Sequence, residues 1–193
     1  MGERQAQVLQ AAIELLDEVG LDGLTMRVLA SRLGVRAGAL YRHYPSKQAL
    51  LDAMVAHLAT PPAGPPAPDR PWDERLRDVA MGMREVRLAH LDGARLMSTF
   101  HHPGGDAVAG FHGLVGVLVT AGLPADGALV AVDTVVAYVN GYTIEEQARE
   151  DVAGARSREQ RDRAFGDGLE LIISGVRGSL RDQPGPAGSG RGA

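Results

Sequence analysis

Apolar residues recur at intervals of three and four along most of this chain, and no stretch alternates one by one as a strand would. Over residues 5–19, Leu9, Ile13 and Leu16 form one stripe, with Val8, Ala12, Leu15 and Val19 beside it. Glu14, Asp17 and Glu18 face the other way, and Gly20 closes this amphipathic helix. Leu29, Ala30 and Leu33 mark a short second helix, with Thr25 as its cap and Gly34 as its end. A third starts near Arg36 and runs to about Tyr44, because Pro45 disfavours helix in the residue before it. Ser46 caps a fourth, over 47–60, whose apolar side is Leu50, Leu51, Met54, Val55 and Leu58.

The prolines of 61–71 cannot continue a helix and predict a loop into a second domain. Beyond it the pattern predicts helices over 71–90, 92–100, 106–121, 125–149 and 164–180. In the first of these, Trp72, Leu76, Val79, Met83, Val86 and Leu88 read as the inner face, and Arg75, Arg77, Asp78 and Arg84 as the outer. Residues 129–139 are apolar nearly all round, which predicts burial on more than one side. Residues 153–163 are polar and read as loop or exposed helix. The tail, 182–193, is too poor in apolar residues to pack. The fold class is therefore all-α, with roughly nine helices. The expected divisions are 1–46, a connecting helix 47–60, the loop 61–71, a helical domain 72–181 and the tail 182–193.

Composition sharpens this picture at one place. The chain has 193 residues, 45% of them hydrophobic and 23% charged, and a net charge of −4. Against that acidic balance, residues 25–47 hold Arg27, Arg32, Arg36, Arg42 and Lys47 and no Asp or Glu. A local cationic face on an acidic protein favours a defined nucleic-acid contact over diffuse adhesion. The absence of cysteine excludes disulfides and cysteine-based zinc or redox chemistry, and suits the cytoplasm. Acidic residues among the first twenty argue against a signal peptide, and no run reads as long enough to span a membrane.

Two short helices about a tight turn, the second cationic and aromatic, read as a helix-turn-helix. A recognition helix must be slim enough for the major groove, and its flanks must neutralise phosphate. Arg36, Ala37, Gly38 and Ala39 give a slim first turn with one long donor. Tyr41, Arg42, His43 and Lys47 supply donors and charge behind it. Arg32, on the preceding helix, is less well placed and also reads as a solvated surface charge.

The words LLDEVGLDGLTMRVLASRLGV and ALYRHYPSKQALLDAM, within residues 8–58, resemble the DNA-binding half of the tetracycline-repressor (TetR) family. The resemblance implies an N-terminal three-helix DNA-binding domain and a C-terminal helical domain for ligand binding and dimerisation. It implies base reading by Arg27, and phosphate-side roles for Thr25, Tyr41, His43 and Lys47. Arg36 is a second candidate base reader from its position alone, and Arg42 suits either role. Ala37, Gly38 and Ala39 stand where closer relatives carry bulkier or polar residues, so the operator should differ. Ala37 or Ala39 could touch a thymine methyl.

In the second half LAHLDGARL, GYTIEEQ and FGDGLELIISGV resemble segments of the tetracycline-repressor branch. This implies dimerisation through 125–149 and 164–180. A helix too apolar for one-sided burial supports a self-copy as its partner; the alternative is that both helices are interior to a monomer. A dimer implies a near-palindromic double-stranded DNA operator. The resemblance also implies a small-molecule effector. Where that branch anchors its drug with polar groups and magnesium, this chain has Val79, Met97 and Leu114, and Met83 replaces an aromatic; Glu145 alone matches an acidic group near the metal. With Phe100 and Phe111 these residues suggest an apolar pocket, or simply core. His101 and His102 with Asp106 or Glu145 could ligate a metal, but read better as a polar loop, and neither metal nor cofactor is expected. No catalytic motif is present, so an enzyme is not expected. The reading is a transcriptional repressor released by a small apolar effector. The alternative is a ligand-independent architectural or interaction protein of the same fold.

Overall fold

The computed structural model describes residues 2–59, 69–99, 105–149, 154 and 156–182, without the side chains of 106 and 107. Most of the proline-rich loop, Phe100, His101, His102 and the tail from 183 onward lie outside the described residues. Among the described residues the chain forms nine helices and no strand. They are α1 (Glu3–Gly23), α2 (Met26–Arg32), α3 (Ala37–Leu40), α4 (Lys47–Leu58), α5 (Trp72–Leu88), α6 (Gly93–Thr99), α7 (Gly105–Thr120), α8 (Ala125–Ala148) and α9 (Arg158–Arg181).

The capping signals act as read. Thr25 Oγ1 accepts the Val28 N–H at 3.2 Å, and Ser46 Oγ accepts the Ala49 N–H at 3.0 Å. Gly34 takes φ 65° at the end of α2, a conformation that suits a residue without Cβ. Gly20 breaks the helical path at φ 68°, as its position predicts, but one further helical turn follows it.

Three expectations need correction. The third helix is only Ala37–Leu40 rather than 36–44. Gly38 weakens so short a helix, and the chain beyond Leu40 winds as turns, with the His43 and Tyr44 N–H groups both donating to the Leu40 carbonyl. The last helix begins at Arg158, inside the polar stretch read as loop or exposed helix. Ser157 starts it with a reciprocal capping box with Gln160. By length and hydropathy α8 could cross a bilayer, contrary to the sequence reading; in the fold it packs against α5, α6, α7 and α9.

Helices α1 to α4 form a head around Leu9, Ala12, Leu16, Leu29, Leu40, Leu50 and Met54. Leu96 of α6 is fully buried in this same core. The body has two adjoining clusters. Leu76, Ala80, Val135, Val139, Phe165, Leu169 and Ile173 join α5, α8 and α9. Leu118, Leu123, Ala128, Val132 and Val176 join α7, α8 and α9.

Candidate DNA interface and effector domain

The cationic stretch resolves into charges that are free and charges that are taken. Arg27, Arg36 and Arg42 are exposed, and among the described residues their guanidinium groups have no hydrogen-bond or ion-pair partner. Arg32 is taken: Glu14 and Glu18 of α1 both pair with it, and the Glu18 bond holds its pKa above the usual value. It straps α2 to α1. Lys47 is half-buried and donates to the Leu21 carbonyl at 3.4 Å.

Around α3 the surface is slim. Gly38 is exposed, Ala39 half-buried, and Ala37 leans on the head core. Tyr41 is 48% exposed. His43 is half-buried, and its carbonyl accepts from Gln5 Nε2 at 3.4 Å. Tyr44 is buried, and its hydroxyl donates to the Gln5 carbonyl at 3.2 Å, so the first turn of α1 fixes the end of the α3 segment. The Thr25 hydroxyl acts as a helix cap.

A chain of polar contacts joins the head to the body. Asp92 has φ 56°, unusual for a residue with a side chain. Its Oδ2 accepts the Leu21 N–H at 2.8 Å, beside the Gly20 break. Arg95 forms a two-pronged pair with Asp22 at 2.7 and 2.9 Å. Asp17 accepts the Leu91 N–H at 3.0 Å and lies 3.0 Å from His90 Nδ1. On the body side, Gln147 of α8 donates to the His90 carbonyl at 2.8 Å and accepts the Ala94 N–H at 2.9 Å. The loop before α6 is thus held from both sides.

The apolar candidates for an effector site are only partly gathered. Met83 and Leu114 share the α5–α8–α9 cluster, and Phe111 packs with Leu114 in the neighbouring one. Val79 and Met97 are half-buried on α5 and α6. Glu145 stands apart on the surface, paired with Arg149 at 2.6 Å. Among the described residues no group of three or more His, Asp or Glu side chains could hold a metal. An open cleft of about 480 Å³ lies on the head, lined by Gln7, Gln10, Glu14 and His57 among others.

The sequence reading placed Arg84 outward, and this is the clearest correction. Arg84 is 6% exposed. It donates to both oxygens of Glu146, at 2.9 and 2.7 Å, and to Asp162 at 2.7 Å; Arg161 adds a bond to Glu146 at 3.0 Å. These acidic partners raise the Arg84 pKa against the opposing effect of burial. Its guanidinium also lies 5.1 Å from the centre of the Phe165 ring. The signal was periodicity: Arg84 and Arg87 continue the Leu76–Ala80 stripe, and Glu146 continues Val135–Val139–Thr143.

Comparison with known proteins follows the same division. Residues 8–54 match bacterial regulatory proteins of the tetR family, and 65–161 match the tetracyclin repressor-like C-terminal domain. The chain is 37% identical over 191 residues to the tetracycline repressor protein class A from transposon 1721 of Escherichia coli, covering 88% of each. The chain belongs to the TetR family. It superposes on a TetR variant from Acinetobacter baumannii AYE in complex with minocycline with a TM-score of 0.83 and 32% identity, covering 95% of this chain and 99% of that one. BioQ bound to its double-stranded DNA operator gives 0.76 and 31%, covering 90% and 98%. The protein is thus a TetR-family transcriptional regulator with a helix-turn-helix DNA-binding head.

Proposed function

We propose that the protein is a homodimeric repressor, working in the cytoplasm, that binds a near-palindromic operator and leaves it when a small, mostly apolar effector enters the body. The observation that carries this reading is the set of free arginines, Arg27, Arg36 and Arg42, around a slim α3 while neighbouring Arg32 is held by acids. Free guanidinium groups suit bidentate contact with guanine edges and pairing with phosphate. Thr25, Tyr41, His43 and Lys47 are the phosphate-side candidates, and the slim Gly38 and Ala39 suit close approach to the bases.

Dimerisation is supported by an apolar face left open on α8 and α9. Val130 is 63% exposed, Leu171 76% and Ile144 40%. A second copy is the commonest cover for such a face. Effector release is supported by the contacts of α6 and the loop before it, which link Gln147 of α8 to Asp17, Leu21 and Asp22 of α1. Val79, Met83, Met97, Phe100, Phe111, Leu114 and Glu145 are the candidate residues of the effector site.

Selection of bound duplexes from a random DNA pool at fixed salt tests the reading. A palindromic consensus is expected. Salt-sensitive binding without a consensus would favour an architectural protein instead.

A further inference from the structure

Arg87 is buried, at 6% exposure, and has no acidic partner among the described residues. Arg84, one turn earlier on α5, is neutralised by Glu146 and Asp162. Among the described residues Arg87 has only neutral acceptors. Its Nε and Nη2 both donate to the single Asn140 Oδ1, at 3.1 and 2.8 Å, and Nη1 donates to the Met83 carbonyl at 3.0 Å. A guanidinium carries five N–H donors, so two of them find no acceptor among the described residues. The Asn140 amide nitrogen likewise donates to nothing there.

Spare N–H donors of a buried guanidinium and of the half-buried Asn140 amide therefore meet at the α5–α8 contact. On one side Met83, whose carbonyl Arg87 contacts, belongs to an apolar cluster with Leu114, Val139 and Tyr138; on the other, Gln147 Nε2 donates to the Arg87 carbonyl at 3.4 Å. Burial pushes the Arg87 pKa down to about 10, so the group keeps its charge at neutral pH in a place that disfavours it. A buried cation gains most from an anion that brings two acceptors, and a carboxylate matches the guanidinium fork.

We infer that the effector is an amphiphilic carboxylic acid whose carboxylate is bound by Arg87 and the Asn140 amide, with its apolar body against Met83 and Leu114. The inference rests on the reading that the body holds an effector, and names its chemical class.

The test uses the purified full chain with octanoate as probe, and octanol, octylammonium and acetate at equal concentration as controls. Octanoate is expected to raise the melting temperature clearly more than any control. Arg87→Leu should abolish that rise. Asn140→Asp should raise the melting temperature without any ligand, by supplying the missing counter-charge. It should also weaken octanoate binding about tenfold or more, as loss of charge-assisted bonds does. Calorimetric titration reads the affinity, and Asn140→Asp keeps the inference testable if Arg87→Leu fails to fold. Equal stabilisation by octanol would keep an apolar effector site and overturn the acid. Equal stabilisation by acetate would overturn the amphiphile. Undiminished octanoate binding by Asn140→Asp, or no response to octanoate, would overturn the inference, while DNA selection judges the regulator reading separately.

Discussion

The carboxylate of Asp92 holds the backbone N–H of Leu21 at 2.8 Å, across the boundary between body and head. Gly20, just before Leu21, has no room for a side chain: a Cβ there would come within 2.8 Å of Asp92 Oδ2. The break in α1 and the turn before α6 are thus shaped to each other.

Asp92→Ala should cost about 1–3 kcal/mol, toward the lower end because the site is partly open to water. It leaves the Leu21 N–H without its acceptor and puts alanine at positive φ. Asp92→Asn keeps an acceptor and tolerates that φ, so it should lose much less. Urea unfolding of the two variants checks the difference.

Arg27 and Arg32 should part company in DNA binding. Arg27→Ala is expected to weaken the selected operator by about 1–3 kcal/mol and relax one base position. Arg32→Ala should leave the ranking of operator variants unchanged, because its guanidinium already serves Glu14 and Glu18. Competition binding against single-base operator variants separates them. An unchanged ranking for Arg27→Ala would remove its base-reading role.

Glu146→Ala should destabilise the body by about 3–5 kcal/mol, because it strands the buried Arg84 cation with only one acid. Arg84→Met combined with Glu146→Leu should recover part of that loss, since an apolar pair needs no counter-charge. Chemical denaturation midpoints read both effects.

Acid should loosen the contact of α5 with α9. Arg177 pairs with Asp73 and Glu170, and holds Asp73 below its usual 3.8. A carboxylate with a lowered folded pKa contributes stability above its unfolded value and loses it as pH falls through the folded one. The loss should therefore begin near pH 3.8 and grow below it. Asp73→Asn should flatten this part of the melting-temperature profile.

Leu171→Glu should dissociate the proposed dimer without unfolding the protomer, since Leu171 is 76% exposed on the isolated chain. Light scattering should show half the mass while circular dichroism keeps its helical signal. An unchanged mass would place the interface elsewhere.

Much of the head was readable because its signals are local. Thr25, Gly34 and Ser46 each set a helix end through their own backbone chemistry, and the stripe Leu9–Ile13–Leu16 is interior as spaced. The brevity of α3 was not readable, because residues 41–44 keep a helical composition while the Tyr44 ring seats against α1. Arg84 was misplaced because charge argues for water, and only Glu146, distant in sequence, makes burial tolerable. Among the DNA candidates, the sequence showed which residues are cationic, but not that Arg32 is spoken for. The effector residues were hardest: apolar side chains on α5, α6 and α7 read alike whether they line a cavity or fill a core.

Leu96 carries a consequence for how such regulators can be recombined. It is contributed by the body yet completes the interior of the head. A chimaera joined at the proline-rich segment would transplant α1 to α4 and leave this leucine behind. The graft would carry a hole the size of a side chain, filled only if the recipient offered a similar residue at the same height. Exchange of DNA specificity between relatives is therefore limited by this buried plug as well as by the residues that touch bases.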